Sequence, residues 1–291
     1  MKVWMNGEIL EPAQACVSVL DHGLLYGDGV FEGIRFYNKQ IFRCRQHLER
    51  LEEGTRILRL PIPYTLAQIE AAMLATIDAT GLTDGYIRLV VTRGEGQLGL
   101  SIQRTGQPRV FAIVDTIRLY PQTLYETGMP IISSTIAVKH PTCSPRIKSL
   151  NYLNNILAKI EAEDAGVQEA VMYNHAGEVA ECTADNIFIV KNGHVATPPP
   201  SAGLLSGVTR GVVMELCREL GLPIAEKTLV RHDLYTADEI FLTGTGAEVI
   251  AVNSLDRRPI GPVGTREPVG IGPVTRSIMQ AFRQCVAREC T

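Results

Sequence analysis

The sequence is short of one-sided charge. Lys and Arg number 28 against 31 Asp and Glu, a net charge of −3, and neither half carries a run of like sign. Nucleic acid and anionic membrane therefore lose the electrostatic footprint that would mark them as partners. Apolar runs of 18 or more are also absent, and Met1-Lys2-Val3-Trp4-Met5-Asn6-Gly7 alternates like a strand where a signal peptide would carry an apolar block. A membrane span is not expected, and the expected address is the cytoplasm. The seven cysteines (16, 44, 143, 182, 217, 285 and 290) include no C-x-x-C, which argues against a disulfide framework or a zinc knuckle. Six histidines, at 22, 47, 140, 175, 194 and 232, supply no H-E-x-x-H and no pair four apart, so no metal ligand set is visible.

What is present is a globular chain. With 291 residues, 45% of them hydrophobic and 20% charged, it is long enough for about two domains and for burial of roughly 75% of its unfolded surface. Residues 3–10 and 29–42 read as strands, the second folded at Tyr37-Asn38-Lys39. Helices are expected over 46–60, with Leu48, Leu51 and Leu58 on one side, and over Leu66–Thr80, opened by a Thr65/Gln68 capping box. Residues 86–93 and 109–117 return to strand. The polar stretch before Gly128-Met129-Pro130 reads as a linker, giving an N-terminal domain over 1–118, a linker over 119–127 and a C-terminal domain over 128–291. Beyond it come a strand over 131–138, a Pro-rich approach (His140-Pro141, Ser144-Pro145) and a helix over 150–164 with Leu150, Leu153, Leu157 and Ile160 facing its core. Strands with turns at His175-Ala176-Gly177 and Asn192-Gly193 fill 169–198. A helix over 208–220, carrying Val208, Val212, Leu216 and Leu220 on one face, precedes a strand, Gly-rich bend and strand over 239–252. A last helix opens at Pro273 and buries Val274, Ile278, Phe282 and Val286.

Several residues could carry chemistry. Lys148 stands between a strand region and a helix start, beside Ile147 and Leu150. Such surroundings disfavour the ammonium form, which suits an amine nucleophile, although most lysines are simply solvated. Leu205-Ser206-Gly207-Val208-Thr209-Arg210 opens a helix whose first-turn N–H groups and Thr209 hydroxyl suit a phosphate. Thr243-Gly244-Thr245-Gly246-Ala247 lets the backbone approach a ligand closely. An ordinary cap and an ordinary turn are the bland alternatives, and neither segment fits a nucleotide motif. Glu181 opens an otherwise apolar strand, either as a solvated charge or aimed at a cationic partner such as a protonated pyridine. Arg50 reads most simply as an exposed helix residue in an i, i+4 pair, unless a phosphate lies nearby.

Taken in order, these segments resemble the class IV, fold-type IV aminotransferases that use pyridoxal 5′-phosphate, and among them the branched-chain amino-acid aminotransferases. The match runs through Tyr26-Gly27-Asp28-Gly29-Val30-Phe31-Glu32-Gly33-Ile34-Arg35, the segment 47–51, Gly85-Tyr86-Ile87-Arg88, Lys148 with Asn151-Tyr152, and the segments 181–188, 206–210 and 243–248. The resemblance implies an α/β protein of two parts, a smaller N-terminal α+β domain and a larger β-rich pseudo-barrel, with the cofactor in the cleft between them. It implies that Lys148 joins the cofactor aldehyde and later moves the proton at the substrate α-carbon, while Glu181 keeps the pyridine nitrogen protonated. Arg50, Val208, Thr209 and Thr245 match phosphate-binding positions, Leu205 the residue packed on the ring, and Tyr152 a tyrosine that bonds the cofactor hydroxyl, here four residues after Lys148. On the substrate side, Tyr26, Phe31 and Leu100 match an apolar wall, Leu100 reaching over from a partner subunit of a homodimer or larger assembly. Arg88 matches the cation that meets the distal carboxylate of glutamate, Tyr86 with the N–H groups of Thr245 and Gly246 the α-carboxylate site, and Arg35 the entrance.

The implied reaction moves an amino group from leucine, isoleucine or valine to 2-oxoglutarate. D-Amino-acid aminotransferases and aminodeoxychorismate lyases of the same fold would keep Lys148, Glu181 and the phosphate cup. The loop Gly94-Glu95-Gly96-Gln97-Leu98-Gly99-Leu100 resembles branched-chain enzymes, lacking the additional Arg and His of D-specific relatives, whereas Lys148-Ser149-Leu150-Asn151 is shared with them. A non-catalytic binding protein that kept the fold is the reading from a different class, and it would be colourless.

Overall fold

The computed structural model describes residues 1–138 and 145–291; His140, Pro141, Cys143 and Ser144 lie outside the described residues. Contacts divide the chain into two units. Met1–Ile117, Ile147–Asn151 and Val286–Thr291 form the first, and Arg118–Arg146 with Tyr152–Cys285 the second.

The first unit is built on strands β1 (Lys2–Met5), β2 (Glu8–Leu10), β3 (Gly29–Tyr37), β4 (Gln40–Ile41), β5 (Gly85–Thr92) and β6 (Arg109–Asp115), with helices α1 (His22–Tyr26), α2 (Cys44–Ile57) and α3 (Leu66–Thr80). The strands form an antiparallel sheet in the order β2-β1-β6-β5-β3-β4. The stretch expected as one strand over 3–10 is a hairpin, because Asn6 and Gly7 both take positive φ, 48° and 107°. Asn-Gly is a strong hairpin signal, here hidden inside an alternating pattern. The turn at Asn38-Lys39 has the same character, with φ of 48° and 64°. Helix α3 has the expected bounds and the expected capping box, Gln68 N donating to Thr65 Oγ1 and Thr65 N to Gln68 Oε1.

Strand alternation sorts the faces of this sheet. Val30, Ile34 and Phe36 of β3, Ile87, Leu89 and Val91 of β5, and Val110, Ala112 and Val114 of β6 pack with Leu48, Leu51, Ile69, Met73 and Ile77 from the helices. Each fully buried large aliphatic contributes roughly 1.5–3 kcal/mol. The opposite parity places Phe31, Gly33 and Arg35 on the other face of β3, and Tyr86 and Arg88 beside them on β5.

The second unit comprises α4 (Gln122–Thr127), β7 (Met129–Ser133), α5 (Leu153–Asp164), β8 (Glu169–Tyr173), β9 (Val179–Cys182), β10 (Asn186–Lys191), β11 (His194–Thr197), α6 (Val208–Glu219), β12 (Ile224–Glu226), α7 (Arg231–Tyr235), β13 (Glu239–Gly244), β14 (Glu248–Leu255), β15 (Arg258–Pro259) and α8 (Pro273–Glu289), whose last residues group with the first unit. Its sheet runs β12-β11-β10-β13-β14-β7-β8-β9, with β15 on β14. Strand β7 lies parallel to β14 and β8; parallel neighbours need a crossover, and α5 sits in the one between β7 and β8. Asn192-Gly193 makes the expected turn, with φ of 50° and 75°.

Several expectations change. The stretch expected as a linker belongs to the second unit: Tyr120 is buried, and Leu124 and Tyr125 pack on its core. Strand β7 stops at Ser133, after which the Glu161 carboxylate accepts from the Ser134 hydroxyl and the Thr135 N–H and turns the chain away. Helix α5 is rotated relative to the expected face. Leu153, Leu157 and Ile160 are 65%, 41% and 47% exposed, while Ala158 and Ala162 are buried. Ala158 packs with Met172 and Ala180, and a periodicity weighted toward large side chains selected the wrong stripe. Leu220 is likewise exposed, and in α8 Val274 and Val286 are only half-buried, the buried face being Thr275, Ile278, Met279, Phe282 and Cys285. Among the described residues no helix is long and apolar enough to cross a membrane.

Candidate active site

The candidate residues form two clusters, one in each unit. In the first, residues 148–150 run beside β3: Phe31 N donates to the Lys148 carbonyl at 2.9 Å and Leu150 N to the Gly29 carbonyl at 3.0 Å. This pairing brings the Lys148 amine to 4.7 Å from the centre of the Phe31 ring. The Arg88 guanidinium lies 4.6 Å from the same ring centre and donates to the Tyr86 hydroxyl at 2.9 Å. Lys148, Phe31, Arg88 and Tyr86 are thus brought together on the sheet face away from the helices. The buried Phe31 presents its ring to two cations; such contacts are worth about 0.5–2 kcal/mol. Arg35 stacks over Tyr37 at 5.1 Å on the same side. Tyr26 accepts at its hydroxyl from Gly99 N at 2.8 Å, which anchors the loop on which Leu100 is 79% exposed.

Arg50 departs from the simple expectation of an exposed i, i+4 pair. That pair is made by Arg45 and Glu49. Arg50 instead donates through Nε and Nη2 to the two carboxylate oxygens of Glu32 at 2.8 and 2.7 Å. The fully buried Glu32 also meets His47 Nδ1 at 2.7 Å. Burial pushes the Glu32 carboxyl up, but the charges and hydrogen bonds of Arg50 and His47 outweigh it and hold the group at about 2. Burial pushes His47 down, and the Lys148 charge adds to that direction.

Glu32 and Gly33 are functional candidates that the sequence reading missed. Glu32 shares the parity of the core residues Ile34 and Phe36, and a carboxylate on that face needs a cation; His47 and Arg50, three apart on a helix, were the available signal. At Gly33 an added Cβ would meet the Tyr86 hydroxyl at 2.1 Å. The glycine therefore makes room for the Tyr86 side chain across the β3–β5 pair.

In the second unit, Glu181 of β9 accepts from Leu205 N at 2.9 Å, and Asn186 Nδ2 donates to the Leu205 carbonyl at 2.9 Å. Leu205 is thus bracketed on both sides of its backbone. Asn186 also closes on Gly207, where a Cβ would lie 2.2 Å from its Oδ1. Helix α6 starts at once, with no side-chain hydrogen bond from its N-cap Gly207, with Val208 first and Thr209 buried. Thr245 and Gly246 occupy the turn between β13 and β14, preceded by Thr243, whose buried hydroxyl has no hydrogen-bond partner among the described residues. Tyr152, half-buried, caps α5.

Behind Glu181 lies a feature invisible to motif reading. Asp185 and Glu169 are both buried, Tyr120 OH donates to Asp185 Oδ2 at 3.0 Å, and the Thr183 hydroxyl donates to Glu169. Burial first, and the Asp185 charge second, push the Glu169 carboxyl up to about 8.

The chain is similar to known proteins along nearly its whole length. The family "Amino-transferase class IV" matches residues 29–255. The chain is 44% identical over 286 residues to the "Putative branched-chain-amino-acid aminotransferase" of Methanocaldococcus jannaschii, covering 97% of this chain and 96% of that protein. It is 32% identical over 289 residues to the D-alanine aminotransferase of Bacillus licheniformis, covering 99% and 98%. The crystal structure of the Escherichia coli branched-chain amino acid aminotransferase superposes with a TM-score of 0.93 at 33% identity, over 100% of this chain and 96% of that one. The T.th. branched-chain amino acid aminotransferase complexed with N-(5′-phosphopyridoxyl)-L-glutamate superposes with a TM-score of 0.89 at 32% identity, over 99% and 94%. With a family match across most of its length and relatives above 30% identity end to end, the chain belongs to the class IV aminotransferases, shares their fold-type IV architecture and is an aminotransferase.

Proposed function

We propose that this enzyme transfers the amino group of L-leucine, L-isoleucine or L-valine to 2-oxoglutarate, using pyridoxal 5′-phosphate. The observation that carries the reading is the pair of cations against one ring: Lys148 Nζ and Arg88 Cζ lie 4.7 and 4.6 Å from the centre of Phe31. A pocket that accepts a branched aliphatic chain in one half-reaction and glutamate in the other must offer an apolar wall with a cation at its edge. Phe31 and Arg88 have that combination, next to a primary amine, which condenses with an aldehyde and can carry a proton.

The residues present fit the cofactor. A helix N-terminus whose N-cap is a glycine, the buried Thr209 and the Thr243 hydroxyl, without a hydrogen-bond partner among the described residues, suit a phosphate. Arg50, Val208, Thr209 and Thr245 would hold that phosphate, Leu205 would pack on the ring, and Tyr152 would bond its hydroxyl. Pyridoxal 5′-phosphate supplies an electron sink for a carbanion at the α-carbon. Glu181 would keep a proton on the pyridine nitrogen, and the Lys148 amine would take and return the proton at the α-carbon. Tyr86 and the N–H groups of Thr245 and Gly246 would bind the α-carboxylate, with Arg35 at the entrance. Tyr26 and Leu100 would extend the apolar wall; the exposure of Leu100 favours a wall completed in a homodimer, the loop of one subunit facing the pocket of its partner.

A second reading, a D-amino-acid aminotransferase, is favoured by the D-alanine aminotransferase likeness, which nearly equals that to the Escherichia coli enzyme. The two separate in one assay. Purified protein is offered L-leucine, L-isoleucine, L-valine, L-glutamate and D-alanine in turn, with 2-oxoglutarate, 4-methyl-2-oxopentanoate or pyruvate as acceptor. Turnover of the branched L-donors with 2-oxoglutarate supports the proposal; turnover of D-alanine alone overturns it in favour of the second reading.

A further inference from the structure

The second unit holds two buried carboxyl groups that the reading above leaves unused. Glu169 and Asp185 are 1% and 4% exposed. Glu169 begins β8, where its Oε1 accepts from the Thr183 hydroxyl and its Oε2 from Ala184 N at 3.4 Å. Asn155 of α5 in turn holds the Thr183 carbonyl at 2.8 Å. Asp185 lies just before β10, locked by the Tyr120 hydroxyl at 3.0 Å. Its other oxygen presses on the neighbouring hairpin: a Cβ on Gly244 would stand 1.9 Å from Asp185 Oδ1. A larger residue at 244 would have to displace that carboxylate. Gly244 is the last residue of β13 and leads directly into Thr245 and Gly246.

We propose that the Asp185–Glu169 pair is a positioning device for the turn Gly244-Thr245-Gly246, with Asp185 buttressing the turn and Tyr120 and Glu169 fixing Asp185. The inference rests on the reading of that turn as the donor set for phosphate and α-carboxylate. Its logic is electrostatic. Two carboxylates buried together cannot both carry charge cheaply, so one takes the proton and the other stays ionised. Burial and the Asp185 charge push Glu169 up, and Lys159 on α5 only partly offsets them. Burial first, and then the charges of Glu169, Asp185 and Glu181, push the Cys182 thiol of β9 up. Tyr120 is pushed far up by burial and Asp185, so its hydroxyl remains a donor. Below the Glu169 titration the cluster is singly charged and closed. Above it a second buried charge repels Asp185 and loosens the buttress of Gly244.

The test uses the full-length holoenzyme and, for binding, the same protein stripped of cofactor. Asp185→Asn is expected to raise the dissociation constant for pyridoxal 5′-phosphate about tenfold, the scale of one charged hydrogen bond, and to raise KM for L-leucine more than it lowers kcat. Tyr120→Phe, which keeps the carboxylate should Asp185→Asn fail to fold, is expected to move both in the same direction by a smaller factor. In the wild type the dissociation constant and KM are expected to rise from pH 7 to pH 9.5, and Glu169→Gln, isosteric and unable to ionise, is expected to flatten that rise. A purely structural role would lower the melting temperature without moving the alkaline limb. Wild-type turnover with bound cofactor, but an unchanged alkaline limb in Glu169→Gln or unchanged constants in Tyr120→Phe, overturns the proposal and leaves the functional reading intact. A wild type that neither binds the cofactor nor transaminates overturns both.

Discussion

Glu32 and Glu169 are both fully buried carboxyl groups, one in each unit, and they are driven in opposite directions. Burial pushes each upward. At Glu32 a bidentate Arg50 and a hydrogen-bonded His47 reverse the sign and hold the group at about 2. At Glu169 the neighbour of consequence is another carboxylate, Asp185, and the group is carried to about 8. Burial sets the tendency, and the charge of what faces the buried group sets the result. The contrast also separates tasks: the first arrangement fixes a cation in place, the second fixes a turn of backbone.

The comparison breaks most visibly at Arg50. Arg50→Ala would leave Glu32 charged without its fork in the core, and removal of one partner of a buried ion pair costs about 3–5 kcal/mol; urea denaturation at pH 7 should show a loss of that order. Glu169→Gln should cost far less, since it removes a group already neutral there.

The pH dependence of stability sharpens the contrast. The depressed Glu32 contributes stability that is whole above the ordinary carboxyl value of 4.5 and disappears as pH falls through about 2. The raised Glu169 contributes stability that is whole below 4.5 and is lost as pH rises through about 8. Melting temperatures from pH 2 to 9.5 should therefore drop at both ends, with Glu169→Gln relieving the alkaline drop and leaving the acid one.

A finer comparison sets two glycines side by side. Gly33 leaves space for the Tyr86 hydroxyl and Gly244 for the Asp185 carboxylate. In Gly33→Ala the obstructing group is the tip of a side chain, so Tyr86 should swing aside, raising KM for L-leucine by up to about a hundredfold through misplacement alone while the melting temperature changes little. In Gly244→Ala the obstruction is a buried charge, and both KM and melting temperature should suffer. The smallest effect expected is substrate-selective: Arg88→Gln should raise KM for L-glutamate about tenfold, the scale of one charge-assisted bond, with KM for L-leucine nearly unchanged.

Much of the fold was legible because local chemistry and tertiary context agreed. Thr65 and Gln68 cap α3 as their spacing predicts, and Asn192-Gly193 turns where it should. Where they disagreed, the sequence misled. Asn6-Gly7 sits within an alternating run that conceals its hairpin, and the large aliphatics of α5 outvote the alanines that are actually buried. Of the candidate site, Lys148, Phe31, Tyr86 and Arg88 meet on one sheet face because strand parity and the β3–β5 register place them there. The Glu32 ion pair was legible only in part, through His47 and Arg50 three apart on a helix and Glu32 at core parity, and the Asp185–Glu169 pair not at all, because it depends on partners from separate segments whose apposition no local pattern encodes.

The central claim is that Lys148 is the amine that holds the cofactor aldehyde. Borohydride reduction of the purified holoenzyme followed by peptide mass spectrometry tests it directly. The account predicts a phosphopyridoxyl group on the peptide containing Lys148 and its absence in Lys148→Ala, together with loss of at least about a thousandfold in kcat. Recovery of the modification on another lysine, or on none while the enzyme still transaminates, would contradict it.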